Sequence, residues 1–463
     1  MKRTIILFAA VIMAACSTPV RDQVKISGKV TNPAGEEAEV FYYTDFITNN
    51  MESVVAPIGE DGTFEAVLPL EEPQFIHITI APRTIMLYAK PGATLYVSFD
   101  AENQDQLPTV TGDNNLESSF LLAYNIEMAG KFTQSELFGK ARELGWEDFA
   151  DYIKAMYQEQ KGFLHAHPDY ADLDADFELL MSTRILYGKY VWLLQYGLYY
   201  DFLHPDGPAL PDTYFGFLED AADFRDELTR SRGYFTFLNM YVEHKAETGE
   251  GISRNISHFE TASELLSGRS KELVQAQTVI SALSFGDFEE GLALYQRFSD
   301  SDVSADIAQI VRNEYEVQKA LSPGMPAPGF SLTDINGSEI ALDDFLGKVV
   351  YLDFWASWCG PCLQQIPYAK ELKKRMAEEE DLIFLYVSVD NDEKAWRNMV
   401  ADREIEGVHV NVPGFSHEVP QNYNLRGVPT FYVIGRDGMI FDNRPPRPSQ
   451  ENVDEVLLSA LNQ

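Results

Sequence analysis

The chain has 463 residues, 45% apolar and 12% aromatic, with 72 acidic side chains against 36 basic ones and a formal charge of −36. That length predicts two to four folded domains, and the apolar content argues against long disorder. A field this negative repels nucleic-acid phosphates and anionic lipid surfaces, so no nucleic-acid partner is expected, and the acidity reads as solubility on a large exposed surface.

Met1-Lys2-Arg3 supplies a positive start, Ile5 to Met13 an apolar run, and Met13-Ala14-Ala15 a small-residue approach to Cys16. This is the layout of an export signal, and the run is too short to span a bilayer as a mature helix. The segment resembles a bacterial lipoprotein signal, in which the cysteine after the cleavage site is lipidated and becomes the new N-terminus. Met13 departs from that family's preference for leucine. The resemblance implies a signal peptide over 1–15, a tether over 16–23, attachment to a membrane by lipid alone, and a periplasm-facing place in the cell envelope. A plain secretory signal is the alternative, in which Cys16 is incidental. The other two cysteines, Cys359 and Cys362, sit together far downstream, and three cysteines are too few for a fold stapled by disulfides.

From Val24 short β-type runs alternate with turns: Val24 to Val30, Glu39 to Tyr43, Thr63 to Leu68, Phe75 to Ile80, Ile85 to Ala89 and Thr94 to Phe99. This spacing predicts a small antiparallel β-sandwich over 24–112. The strings ISGKV, GEDGTFEAVLP and AKPGATLYV resemble the N-terminal β domain that precedes thioredoxin-like domains in Bacteroidetes lipoproteins. No catalytic residue is expected there, and His77, alternating into a strand, reads as structural.

Beyond Gly112-Asp113-Asn114-Asn115 apolar residues recur at helical spacing, which predicts a central all-α domain over 113–321. Helices are expected at Leu116 to Met128, Phe149 to Phe163, Phe177 to Phe202, Pro211 to Leu228, Tyr234 to Lys245, Ile256 to Leu266, Lys271 to Leu283, Phe285 to Phe298 and Ser304 to Leu321. The aromatic run Tyr187, Tyr190, Trp192, Tyr196, Tyr199 and Tyr200 could bind a ligand, but stripes of this kind are more often core or domain interface. His165, His167 and Asp169 could hold a metal, but the sequence places no further ligand, so they read as a loop with incidental histidines and no metal is expected.

Ser322 to Pro328 is a Pro-rich stretch read as a linker, and an α/β domain is predicted over 329–463. The buried strand Val349 to Phe354 runs into WASWCGPC, and a helix follows from Cys362. Cys359 then falls at a helix N-terminus, where unpaired N–H groups and the helix dipole favour the thiolate. Cys362 lies one turn on and can resolve a mixed disulfide formed by Cys359. A zinc site would need two more ligands, and His409 and His417 lack a paired motif. Downstream, Leu382 to Val389, Val408 to Val412 and Thr430 to Ile434 read as strands, the last in a hairpin with Met439 to Phe441. A helix is expected at Glu393 to Arg403.

YLDFWASWCGPC resembles thioredoxin, and PAPGFSLTDINGSEIALDDFLGKVVYLDFWASWCGPC resembles its extracytoplasmic TlpA/ResA-like branch, over Gly324 to Gln463. The resemblance implies that Cys359 is the nucleophile and Cys362 the resolving thiol, with Trp355 and Trp358 packing and recognising substrate beside them. It implies a buried acid at Asp353 that accepts the proton of Cys362, and a cis-proline loop in which Val428 and Pro429 meet an extended peptide. No cofactor is expected beyond a redox-active Cys359–Cys362 disulfide. The Gly360-Pro361 dipeptide replaces the glutamate common in the ResA branch and suggests a reductant.

The leading expectation is therefore an extracytoplasmic thiol–disulfide oxidoreductase that reduces or isomerises protein disulfides, with thiol/disulfide client proteins and an extracytoplasmic electron donor as partners. One alternative is a thiol peroxidase, since peroxiredoxins share the fold and the PAPGFSLTD opening, although WASWCGPC lacks their threonine-rich loop. Another is a lipid-tethered binding or assembly protein whose first 300 or so residues do the main work.

Overall fold

The structure is a computed structural model that describes residues 23–463 apart from 248 and 250. Cys16 and the export segment lie outside the described residues. By internal contacts the chain divides into two compact units, one ending at Thr278 and one spanning Val279–Gln463.

The first unit opens with eight strands: β1 Val24–Thr31, β2 Glu37–Asp45, β3 Asn50–Pro57, β4 Thr63–Leu68, β5 Gln74–Ile80, β6 Arg83–Ala89, β7 Thr94–Asp100 and β8 Thr109–Gly112. They form two four-stranded sheets, β4-β1-β7-β8 and β3-β2-β5-β6. Period-two alternation decides which side chains turn inward. In β1, Val24, Ile26 and Val30 are buried while Lys25 and Lys29 are exposed. Ile26 and Val97 from one sheet share an apolar cluster with Val40 and Ile78 from the other. The expectation of antiparallel strands throughout is corrected at one pair, because β1 and β7 run parallel. The chain passes through the other sheet between them, so no hairpin dictates their direction. The edge strands β3 and β8 were not foreseen. In β3 only Ala56 is buried, so no apolar alternation marks it.

Helices follow: α1 Asn115–Tyr124, α2 Gln134–Glu143, α3 Trp146–Ala166, α4 Ala175–Leu198, α5 Tyr200–Leu203, α6 Leu218–Ala221, α7 Arg232–Lys245, α8 Arg254–Leu265 and α9 Gly268–Phe285, the last crossing into the second unit. The Asp174 side chain starts α4 by accepting from the backbone N–H groups of Asp176 and Phe177. Of the aromatic run, Tyr187, Tyr190, Tyr196 and Tyr200 pack as core, with Tyr196 stacked on Phe149 of α3 at 4.3 Å and Tyr187 against Tyr234 of α7 at 4.7 Å, whereas Trp192 is half-buried and Tyr199 exposed. Two helices differ from expectation. The long one breaks at Tyr199, and Pro211 to Leu228 is mostly 3₁₀ and irregular, with only the short α6 inside it. There the rings of Tyr214, Phe215 and Phe217 pack together, and the Tyr214 hydroxyl donates to the Leu193 carbonyl at 2.9 Å. These tertiary contacts outweigh a weak helical preference around Pro211 and Gly216.

The second unit adds α10 Phe288–Ser299 and α11 Ala305–Ala320, then a ribbon of β9 Ser331–Thr333 with β10 Glu339–Ala341. Its centre is a sheet in the order β13-β12-β11-β14-β15, from β11 Val349–Trp355, β12 Leu382–Ser388, β13 Val408–Asn411, β14 Thr430–Ile434 and β15 Ile440–Asp442. β11 pairs parallel with β12 and antiparallel with β14, and every residue of it is buried. Helices α12 Gly360–Arg375, α13 Glu393–Asp402, α14 Glu418–Asn422 and α15 Val453–Leu461 complete the unit. The Pro-rich segment is hydrogen-bonded along β15: the N–H of Gly324 donates to Ile440 at 2.7 Å and the N–H of Ile440 to Met325 at 2.8 Å. It is thus fixed within this unit.

Candidate active site

Strand β11 carries the chain from the middle of the sheet to its upper end, where the backbone turns through Ala356-Ser357-Trp358 into α12. This is the end of an α/β sheet at which ligands bind, because the loops there gather side chains from several strands. Asp390, just past β12, pins the turn. It accepts from the Ser357 backbone N–H at 2.9 Å and from the Ser357 hydroxyl at 2.6 Å, and the Ser388 hydroxyl also donates to it at 2.6 Å. Asn411 donates to the Ser388 hydroxyl and to the Asp390 carbonyl, both at 3.0 Å. The sequence reading missed this brace. An acid directly after a buried parallel strand was the available signal.

Cys359 is the N-cap of α12 and is joined to Cys362 by a disulfide, with Cα atoms 5.2 Å apart. The Cys362 N–H donates to Cys359 Sγ at 3.2 Å. Pro361 in the first turn costs no hydrogen bond there. An N–H aimed at the sulfur, together with the positive end of the helix, stabilises negative charge on Cys359 when the disulfide opens. Both cysteines are buried to the same degree, 4% exposed, so exposure does not distinguish them. Their surroundings do: Cys359 lies between exposed Trp358 and exposed Gly360, whereas Cys362 is held in the helix.

The Val428–Pro429 peptide is cis, and the Val428 carbonyl oxygen lies 3.5 Å from Cys359 Sγ. The Thr430 hydroxyl donates to the Gly427 carbonyl at 2.8 Å and steadies this loop. Trp358 is 62% exposed, with the ring of Phe415 6.5 Å away. Trp355, by contrast, is buried in β11, its indole nitrogen without a partner among the described residues.

Asp353 sits in β11 opposite Tyr386 and Phe431, 8% exposed, and its Oδ1 has no hydrogen-bond partner among the described residues. Burial pushes its pKa up from 3.8 to about 8, since nothing nearby offsets the lost hydration of the carboxylate. A group poised there exchanges protons readily near neutral pH. The structure thus brings Cys359, Cys362, Trp358, Val428 and Pro429 around one turn, with Asp353 on the strand that leads into it. Among the described residues no group of three or more histidine, cysteine, aspartate or glutamate side chains could hold a metal.

The Redoxin family model matches residues 322–457. The thiol-disulfide oxidoreductase ResA of Bacillus cereus is 29% identical over 144 residues, which cover 31% of this chain and 81% of that protein. That of Bacillus thuringiensis is 30% identical over 141 residues, covering 30% of this chain and 79% of its own length. The thioredoxin-like protein YneN of Bacillus subtilis is 29% identical over 167 residues, covering 36% of this chain and 88% of that protein. With a thioredoxin-like sheet and a disulfide at the start of α12, the chain belongs, through its C-terminal region, to the ResA-type thiol-disulfide oxidoreductases.

Proposed function

We propose that the protein is an extracytoplasmic reductant or isomerase of protein disulfides, tethered by lipid on Cys16 and working through Cys359 and Cys362. The observation that carries this reading is the disulfide at the N-terminus of α12, with a backbone N–H aimed at Cys359 Sγ and the Val428 carbonyl beside it.

In the reduced protein the Cys359 thiolate attacks one sulfur of a client disulfide. A mixed disulfide forms and the second client sulfur leaves as thiolate. Cys362 then gives its proton to the Asp353 carboxylate and attacks Cys359 Sγ, which breaks the mixed disulfide and releases the first client sulfur. Two electrons have passed from the protein dithiol to the client, and Cys359–Cys362 is a disulfide again. An extracytoplasmic dithiol donor restores the reduced form by the same exchange in reverse. The exposed ring of Trp358 and the open backbone of Val428 would hold an extended client segment, the ring by apolar contact and the backbone by strand-like pairing.

The test is capture. A Cys362→Ser protein keeps the attacking thiol and lacks the one that expels the client, so protein adducts accumulate and dithiothreitol releases them. Cys359→Ser traps far less. Equal trapping of the same partners by both variants would refute the division of roles. Absence of protein adducts together with intact peroxide turnover would refute the function.

A further inference from the structure

The redox chemistry occupies the second unit, yet the first unit contains a cavity of about 510 Å³ lined by residues of β2, β5 and β6 and of α1, α2, α3, α4 and α7. Its size suits a small organic molecule. Three arginines line it and no lining residue is acidic, in a chain whose net charge is −36.

Arg184, on α4, is the unusual member. Its guanidinium lies 5.6 Å from the ring centre of Phe75 and 5.8 Å from that of Tyr124. Among the described residues its one hydrogen-bond acceptor is the sulfur of Met86, at 3.4 Å. A guanidinium has five N–H donors in a planar fork that matches a carboxylate, and aromatic faces and a thioether offset only part of its lost hydration. Arg184 is half-buried and lines the cavity, and burial lowers its pKa.

The other two arginines are already engaged. Arg230 donates to Asp176 at 2.9 Å. Arg232 is exposed, stacks on Tyr43 and bonds its hydroxyl. His77, read from the sequence as merely structural, also lines the cavity, and its buried Nδ1 has no partner among the described residues. Burial and the two neighbouring arginines, Arg184 and Arg232, keep this ring neutral, so it offers a hydrogen bond and no second charge. Arg232 also faces no carboxylate among the described residues, but it is exposed and its charge is screened by solvent, so the half-buried Arg184 and one neutral polar nitrogen match a single negative charge better than a dianion. Phe75, Tyr124 and Trp192 supply flat apolar wall around them.

We propose that this cavity binds a small organic monocarboxylate with a flat aromatic body, its carboxylate paired with Arg184 and its ring held between the aromatic walls. The site is separate from the thiol chemistry and does not depend on it.

Isothermal titration of the full chain with 2-naphthylacetate and with the neutral 2-naphthylacetamide tests this directly. The acid should bind at least tenfold more tightly than the amide, and inorganic phosphate at millimolar concentration should not displace it. An Arg184→Met chain, which keeps the apolar volume, should lose at least tenfold in affinity for the acid and little for the amide. Equal binding of acid and amide by the unaltered chain, or no binding of the acid at millimolar concentration, overturns the proposal without reliance on any variant. Displacement by phosphate overturns the assignment of a monocarboxylate.

Discussion

Replacing Asp353 with asparagine removes a titrating group from the middle of β11 while nearly keeping its shape, so it separates the electrostatic cost of that carboxyl from its chemical use. The carboxyl titrates near 3.8 when solvated and at about 8 in the fold, because burial disfavours the charge. Below pH 4 both folded and unfolded chains hold the proton, and the group is neutral to stability. Between pH 4 and pH 8 only the folded chain holds it, so stability falls as pH rises, by about 1.36 kcal/mol per unit at most. Above pH 8 the loss is complete. At pH 7 the penalty reaches on the order of 4 kcal/mol, an upper figure for a group whose surroundings can relax. Asp353→Asn should therefore stabilise this unit progressively between pH 5 and pH 7.5, offset by a pH-independent cost of about 1–3 kcal/mol for burying an amide without partners. Amide exchange of β11 and β12 in the oxidised protein measures it, since the disulfide does not titrate and His409, held down near 4 by burial, contributes equally to both proteins. A stability difference that stays constant from pH 5 to pH 7.5 would refute the burial argument. The same variant should resolve mixed disulfides about 100-fold more slowly, with the gap widening up to pH 8 as the wild-type carboxylate ionises. Insulin-reduction rates that match at pH 6 and pH 8 would exclude proton transfer through Asp353.

Three further outcomes are expected. Trp358→Ala should lower kcat/KM on protein disulfides by about 30-fold, the usual weight of an exposed tryptophan at a contact surface, while turnover of a small soluble disulfide changes less than about twofold. An equal loss on both would show that the ring serves the thiols and not the client. Glu314→Ala should destabilise the second unit by about 1–3 kcal/mol, since its buried carboxylate accepts from Arg426 at 2.7 Å, Gln318 and Ser284 at 2.9 Å and Asn424 at 3.1 Å. The half-exposed Arg426 holds the effect towards the lower end, and an unchanged urea midpoint would contradict it. Cells fed a radiolabelled lipid precursor should label the wild-type chain, and label retained by Cys16→Ala would dispose of the tether.

The site was legible where chemistry demands particular residues at fixed spacing. Cys359 to Cys362 spans one helical turn, and an apolar strand must deliver them, so WASWCGPC discloses both strand and helix. Asp353 stood out because a carboxyl is conspicuous in a run of valine, leucine and phenylalanine. The brace from Asp390 and Asn411 escaped notice because it joins residues 21 and 33 apart in sequence, from the turns after β11 and β12 and from β13. Strand β3 and helix α2 escaped for another reason. Each buries so few side chains, Ala56 in β3 and Leu137 with Ala141 in α2, that no apolar period marks it. Pairing with β2 holds the strand, and the Thr133 side chain, which accepts from the Glu136 N–H, helps hold the helix. The cavity around Arg184 was illegible because it assembles from three strands and five helices spread across residues 43 to 236.

The reach of Glu314 also bears on how the oxidoreductase can be dissected. The family match begins at residue 322, which invites a gene fragment starting at Ser322. Such a fragment would lack α11, stripping Asn424 and Arg426 of the carboxylate that holds them just before Val428. It would also lack the Leu283 and Gly286 carbonyls to which Arg444 donates. Its thiols would survive, but the segment leading to Val428 would lose the Glu314 contacts of Asn424 and Arg426, so rates measured on it would not be those of the intact chain. A faithful fragment has to keep the last turn of α9 and everything after it, so the working oxidoreductase is longer than the pattern by which it is recognised.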